Sequence, residues 1–108
     1  MIPMAKFLFT YHGGSMAETP EAQEAAMAAW GGWFGALGSA VVDHGNPCGA
    51  SATVTADGSV VDGGGANPAT GYTTVEADDL AAATVLVKGC PVLASGGSVE
   101  VSELIPVM

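Results

Sequence analysis

The sequence predicts an α+β fold of the ferredoxin-like type, with the element order β-α-β-β-α-β and an inserted β-hairpin. Three observations predict it. Two segments repeat apolar residues at helical spacing, four apolar segments have the composition of strands, and an Asp-Gly pair lies between two further strand-like runs. At 108 residues, the chain is expected to form a single domain over residues 1–108.

The first strand and the first helix account for the N-terminal third of the chain. Residues 6–12 form an aromatic-rich apolar run, which is typical of a strand. Thr19 suits a helix N-cap and Pro20 suits the first helical position. Apolar side chains then follow at helical spacing through residues 22–37. Gly38 is expected to end this helix.

Three glycines oppose the prediction of a helix in this segment. Gly31, Gly32 and Gly35 each cost roughly 1 kcal/mol relative to Ala inside a helix. We therefore expect the helix backbone to pack closely against another element at these positions. The indole rings of Trp30 and Trp33 would fill the space beside it.

The remaining elements complete the predicted order. The expected segments are a second strand (residues 41–45), the hairpin (52–61), a third strand (71–76), a second helix (78–89) and a last strand (98–105). Two crossovers in this order place both helices on one face of an antiparallel sheet. Because no predicted helix remains for the other face, we expect a second copy to cover it in a homodimer.

This topology brings polar residues from distant segments to one rim of the sheet. The first and second strands run parallel, so that His12 at the end of one lies near Asp43 at the end of the other. His44 and Asn46 follow on the same rim, where Tyr72 begins the third strand. Asp43 and His44 are neighbours on a strand and point to opposite faces. A general-base pair would therefore join His12 with Asp43; otherwise Asp43 caps a turn and both histidines are ordinary rim residues.

A pocket between the first helix and the sheet would use the rest of this rim. We expect substrate contacts from His44, Asn46 and Tyr72, and from Trp33 on the helix. A metal site built from His12, His44, Cys48 and Asp43 would lack any recognised ligand spacing. We therefore expect neither a metal nor a cofactor.

The charge balance limits the possible partners. The chain has 11 carboxylates, two lysines and no arginine, and its net charge is −9. Binding to nucleic acids and to anionic membranes depends on Lys and Arg, so neither is an expected partner. Strongly anionic substrates are disfavoured for the same reason. The expected ligand is small and either apolar or weakly charged.

Cysteine usage and hydropathy favour a cytoplasmic protein. Cys48 and Cys90 are far apart and form no CxxC pair, so free thiols are expected, although a disulfide stays open. Residues 1–6 lack the long apolar region of a signal peptide. No apolar run reaches the roughly 20 residues that cross a bilayer.

Several motifs resemble one protein family. They are residues 6–14 (KFLFTYHGG), 27–33 (MAAWGGW), 42–47 (VDHGNP), 62–68 (DGGGANP) and Gly71-Tyr72. Through these segments the chain resembles the YCII-related family over nearly its whole length. The resemblance implies a dimeric ferredoxin-like α+β barrel, similar to muconolactone isomerase and related small-molecule enzymes.

The chain departs from that family at the proposed active site. For part of the family, a His–Asp pair in a pocket is proposed as the active site. Its histidine lies in the first helix, in an Arg-Pro-x-His-like stretch, and this helix contains no histidine. The Asp-Gly-Pro-Phe motif of another branch reads Asp-Gly-Gly-Gly at residues 62–65. Asp43 could fill the aspartate role, and His12 would then supply the imidazole from a different element.

Two functions of different classes follow from these observations. The first is a small-molecule enzyme or binder with its pocket between the first helix and the sheet, in which His12 and Asp43 transfer a proton. The second is a non-catalytic homodimer that binds a ligand or a partner, in which the rim residues are structural. A role as an accessory to a larger assembly is a weaker third interpretation.

Overall fold

The computed structural model describes residues 5–14 and 18–107. These residues form the strands β1 (Ala5–His12), β2 (Val41–Asp43), β3 (Ala52–Val54), β4 (Val60–Asp62), β5 (Ala69–Ala77) and β6 (Ser98–Leu104), and the helices α1 (Pro20–Leu37), α2 (Leu80–Leu86) and α3 (Pro91–Ala94). The sequence did not predict α3, because four residues are too few to show helical periodicity. Most of the segment used to judge a signal peptide lies outside the described residues.

The larger sheet has the strand order β2-β5-β1-β6, and every neighbouring pair is antiparallel. Phe9 at its centre lies opposite Thr73 on one side and Val101 on the other. Since β5 lies between β1 and β2, the arrangement is compatible with a ferredoxin-like α+β fold. The remaining strands, β3 and β4, pair with each other in a separate two-stranded sheet.

The core lies on one face of the larger sheet. Phe7, Phe9 and Tyr11 alternate along β1 and are buried, together with Val75 of β5 and Trp33 of α1. Successive side chains of a strand point to opposite faces. The even-numbered positions of β1 therefore lie on the opposite face, where they are exposed or half-buried. This alternation decides which residues can reach a pocket under α1.

Helix α1 begins and ends where the sequence predicts. The side chain of Thr19 accepts a hydrogen bond from the Ala22 N–H (3.1 Å), and Pro20 occupies the first turn. Gly38 ends the helix with a φ of +55°, a conformation that side chains other than Gly rarely adopt. None of the helices within the described residues combines the length and apolar character needed to cross a membrane.

The expectation that the helix glycines pack closely against another element is wrong within this chain. A Cβ atom added to Gly31, Gly32 or Gly35 would meet no atom within 4 Å. These glycines therefore lie against open space, and the indole of Trp33 packs into the core without their help. The three glycines lower the stability of the helix, and contacts within a single chain do not explain why glycine is needed at these positions.

The two-stranded sheet of β3 and β4 projects from the rest of the molecule. All of its residues are exposed, including Val54, Val60 and Val61. In its turn, Asp57 accepts hydrogen bonds from the Thr55 hydroxyl and the Ser59 N–H, which lowers the pKa of Asp57 to about 2. The described chain measures 46 × 44 × 18 Å with a radius of gyration of 15.5 Å, against about 13 Å for a compact domain of this length.

Candidate functional site

A cavity of about 740 Å³ lies between α1, the start of β5 and the segment that follows β2. The aromatic residues Tyr11, Trp30 and Phe34 line it, and Tyr72 lies at its exposed edge. Of the described residues that line it, none is Asp, Glu, Lys or Arg. The imidazole on its wall belongs to His44. A concave, mostly apolar site with few polar groups has the usual composition of a small-molecule pocket.

The aromatic wall is held together by contacts between its rings. Tyr11 and Trp30 meet edge to face, with ring centroids 5.2 Å apart and planes at 76°. Trp30 also packs on Phe34 at 5.9 Å, and Phe34 meets the His44 imidazole at 4.9 Å and 72°. Such pairs favour edge-to-face geometry because the ring edge is positive and the ring face negative. His44, an exposed residue, thus contacts the aromatic wall through Phe34.

A chain of hydrogen bonds connects three cavity residues from β1, β5 and the segment after β2. The Thr73 hydroxyl donates to the His44 carbonyl (2.9 Å), and it also lies 2.7 Å from the Tyr11 hydroxyl. A threonine hydroxyl has one proton, so in this geometry Tyr11 donates to Thr73. Burial, as the largest cause, raises the pKa of Tyr11 to about 12. Tyr11 is therefore a protonated phenol at neutral pH.

The segment after β2 closes over β5 because of one glycine. Gly45 has a φ of +73°, and a Cβ there would lie 1.8 Å from the Tyr72 carbonyl oxygen. The Asn46 carbonyl accepts from the Tyr72 N–H (3.3 Å), and the Cys48 N–H donates to the Thr70 carbonyl (3.0 Å). This close approach brings three residues predicted as substrate contacts, His44, Asn46 and Tyr72, to the cavity wall.

The structure does not bring His12 and Asp43 together. The Asp43 carboxylate accepts from the Gly45 N–H at 2.9 Å, so it caps the turn that starts the closing segment. His12 lies 3.1 Å from the Glu100 carboxylate through Nε2, and its Nδ1 lies 3.0 Å from the Asn67 carbonyl oxygen. The pair expected from the sequence does not form, because β5 lies between the two strands and Asp43 pairs with Thr74, which lies opposite Leu8, four residues along β1 from His12.

Trp33 also lies away from the cavity. Its indole N–H donates to the Leu86 carbonyl (3.0 Å), and the residue is 7% exposed. The neighbouring indole, Trp30, lines the cavity instead. The expectation that one of these two indoles walls the pocket thus agrees with the structure, and the choice of Trp33 as the contact does not.

Sequence reasoning missed the two hydroxyls of the cavity floor, Tyr11 and Thr73. Both stand inside strands, where tyrosine and threonine are ordinary residues, so composition alone gives no signal. The register could have found them: Tyr11 precedes His12 and therefore shares the face of the buried Phe7 and Phe9. The apolar alternation along β1 was the available clue, and it favours Tyr11 over His12.

Neither thiol pairs with the other in this structure. Cys48 is exposed and lines the cavity, whereas Cys90 is buried. Burial raises the pKa of the Cys90 thiol, which disfavours its reactive thiolate form. Among the described residues, no group of three or more His, Cys, Asp or Glu side chains could hold a metal ion.

Neither models of known protein families nor curated proteins give a match to this chain. The resemblance to the YCII-related family therefore stays a prediction from the quoted motifs. The candidate site rests on its own geometry.

Proposed function

We propose that this protein binds a small, mostly apolar molecule in the cavity between α1 and the sheet. The observation that carries the proposal is the cavity itself, whose volume of about 740 Å³ falls within the range of about 300–1,000 Å³ for ligand pockets. The ring contacts among Tyr11, Trp30 and Phe34 support it, because mutually packed rings keep the wall formed in the absence of ligand.

The expected ligand is neutral or weakly charged. A charged group inside the cavity would lose water without gaining a counter-ion from the described lining residues. The net charge of −9 further disfavours anions. Within the YCII-related resemblance, such a pocket would belong to a cytoplasmic small-molecule protein built as a dimeric α+β barrel.

Binding is better supported than catalysis. His12 and Asp43 are each engaged by other groups, Glu100 and the Gly45 N–H respectively, so proton transfer between them has no support in the geometry. A catalytic version of the proposal would use His44, whose imidazole lines the cavity beside Phe34. His44 would then act alone or with a group that the ligand brings.

Toluene binding to matched helix variants tests the pocket. Ala26 lines the cavity, whereas Ala28 is exposed two residues further along α1. The Ala26→Phe variant places a ring in the cavity and is expected to weaken toluene binding at least about ten-fold, by steric exclusion. Ala28→Phe adds the same ring outside the cavity and should leave the affinity within about two-fold.

The affinity can be measured by ligand-observed NMR at increasing toluene concentration, with circular dichroism to confirm that both variants fold. Equal toluene affinity in wild type and Ala26→Phe would show that the binding site lies elsewhere. Absence of saturable toluene binding in the wild type would remove the proposal.

We also propose that the protein is a homodimer, which a separate observation favours. The hairpin of β3 and β4 exposes Val54, Val60 and Val61, and an isolated two-stranded hairpin is marginally stable in water. A second copy would cover these side chains together with the sheet face that carries Leu8 and Leu104. The large radius of gyration of 15.5 Å fits a chain that is completed by a partner.

Sedimentation equilibrium tests the homodimer. Replacing both Val54 and Val60, which lie opposite each other in the hairpin, with Lys should convert a dimer to a monomer, because two ammonium groups oppose burial of this surface. Ala56→Lys in the exposed turn is the matched control and should leave the dimer intact. A wild-type monomer at high micromolar concentration would contradict this second proposal.

A further inference from the structure

The hydroxyl groups on the cavity floor have already committed their protons to the protein. The Thr73 proton goes to the His44 carbonyl (2.9 Å), which leaves the Tyr11 proton for Thr73 (2.7 Å). Thr70, a third lining residue, donates to the Tyr11 carbonyl at 3.1 Å or to the Gly13 carbonyl at 3.3 Å. Each hydroxyl has one proton and two lone pairs. The lone pairs are what these groups have left for a ligand.

Fixed proton directions make this floor a one-way hydrogen-bonding surface. A ligand N–H or O–H placed beside Tyr11 meets an acceptor. A ligand ether or carbonyl oxygen in the same place meets another lone pair, and it loses its water without a replacement. Turning the Tyr11 proton toward the ligand would break the hydrogen bond from Tyr11 to the Thr73 hydroxyl. Thr73 is fully buried, so water cannot replace that bond. The hydrogen-bond chain therefore resists adaptation to an acceptor.

We propose that Tyr11 is a specificity-determining residue, and that the cavity selects apolar ligands whose polar group is a hydrogen-bond donor, an N–H or O–H. This inference rests on the proposed binding function and adds the ligand class to it. A neutral donor suits the site because the described lining residues offer no carboxylate to an ammonium ion.

Three isosteric probes separate donor recognition from simple apolar binding. Indole carries one N–H donor, benzofuran carries an acceptor oxygen at the same position, and indene carries neither. We expect indole to bind the wild-type protein about five-fold or more tightly than benzofuran, with indene between them. This ratio corresponds to one hydrogen bond of ordinary net strength. Calorimetric competition titrations give the three dissociation constants.

Two variants then assign the preference to the proton direction. Tyr11→Phe removes the acceptor and should bring the three probes within about two-fold of one another. Thr73→Val frees the Tyr11 proton, so benzofuran should gain at least about three-fold relative to indole. A purely structural role of Thr73 would weaken all three probes equally. Thr84→Val, on the exposed side of α2, is the matched control and should preserve the wild-type ratio.

The outcomes distinguish this inference from the function on which it rests. If the three probes bind wild type equally, or benzofuran binds most tightly, the donor rule is wrong while the binding pocket stands. If none binds, both fail together. Because Thr73→Val leaves the His44 carbonyl without its donor, the fold of this variant must be checked by circular dichroism. If it does not fold, Thr73→Ser serves instead, since serine keeps both hydrogen bonds and should keep the preference for indole. Loss of that preference in Thr73→Ser would overturn the inference.

Discussion

At the scale of single residues, one step along β1 separates a cavity residue from a residue of the opposite face. Tyr11 faces α1 and donates to Thr73, whereas His12 reaches Glu100 and the Asn67 carbonyl. Because successive side chains of a strand point to opposite faces, a register shift of a single residue would exchange the two. The chemistry available to the cavity is therefore that of a buried phenol and of His44, and not that of His12.

Tyr11 should titrate far into the alkaline range. Burial raises its pKa from 10.0 to about 12, because the phenolate is poorly solvated there. The folded-state pKa lies above the unfolded value, so this group's contribution to stability is complete below pH 10 and is lost as the pH rises toward 12. In Tyr72→Phe, Tyr11 is the remaining tyrosine, and its phenolate absorbance should appear with a midpoint near 12. A midpoint near 10 with an unchanged circular dichroism spectrum contradicts this.

His12 should matter for stability and not for ligand binding. His12→Gln disturbs the contacts to Glu100 and Asn67, each worth roughly 1 kcal/mol at most at a partly exposed site. We expect a lower urea midpoint and a toluene affinity within about two-fold of wild type. Asp43→Asn, which changes the other member of the expected pair, should behave in the same way. An affinity loss of about ten-fold or more in either variant at unchanged stability would show that the residue belongs to the binding site.

The sequence identified part of this site and misassigned the rest for a physical reason. His44 and Asn46 were predictable because they follow the end of β2, and Tyr72 because the topology brings its strand to the same rim, although β5 begins earlier than predicted, at Ala69. The Tyr11 and Thr73 hydroxyls depend on which face each strand turns to the helix, and that depends on register and on the bulge between Tyr11 and His12. The order of the elements is enough to deduce which residues share a rim of the sheet. The face on which a side chain lies depends on the register of the paired strands.

At the scale of secondary-structure elements, α1 and the segment after β2 use glycine for opposite reasons. The caps of α1 at Thr19 and Gly38 follow local rules and were predicted. The glycines inside α1 face open space, whereas Gly45 allows a close backbone approach. Sequence alone could not separate these cases, since the two differ in their three-dimensional neighbours.

Three Gly→Ala variants should form a graded stability series. Gly32→Ala should raise the free energy of unfolding by about 1 kcal/mol, because the new Cβ meets no neighbour and the helix gains propensity. Gly58→Ala, in a turn at φ +88° with open space, should lower it by about 1 kcal/mol through backbone strain alone. Gly45→Ala should lower the free energy of unfolding most, because its Cβ collides with the Tyr72 carbonyl in addition to straining the backbone.

Urea unfolding measures this series, with a constant slope as the check on two-state behaviour. A destabilised Gly32→Ala chain would mean that α1 is packed closely against something outside the single chain. A Gly45→Ala chain as stable as Gly58→Ala would mean that the segment after β2 does not approach β5 as described.

At the scale of the whole molecule, the chain combines a large negative charge with a flat shape. The chain has eleven carboxylates and only two lysines. The described chain measures 46 × 44 Å in two dimensions but only 18 Å in the third. The element order was predictable because hydrophobic period and turn residues are local signals. The flat, extended shape was not, because it depends on how the hairpin of β3 and β4 projects.

Salt should stabilise this protein. The net charge of −9 means that the carboxylates of the folded chain repel one another. Salt screens this repulsion, because the Debye length falls from about 30 Å at 0.01 M salt to about 3 Å at 1 M. We expect the thermal midpoint to rise by several degrees between about 0.01 M and 0.5 M sodium chloride. Sucrose at matched osmolality provides the uncharged control. A midpoint that falls with salt would point to attractive ion pairs as the dominant electrostatic effect.

The measurement that tests the binding proposal most directly is amide and aromatic NMR of the labelled protein during a toluene titration. The geometry predicts saturable shifts that concentrate on Tyr11, Phe34, His44 and Thr73, while Glu100 on the opposite face of the sheet stays unchanged. Shifts confined to the hairpin valines or to the outer face of the sheet, or no saturable shift at all, would contradict a ligand site between α1 and the sheet.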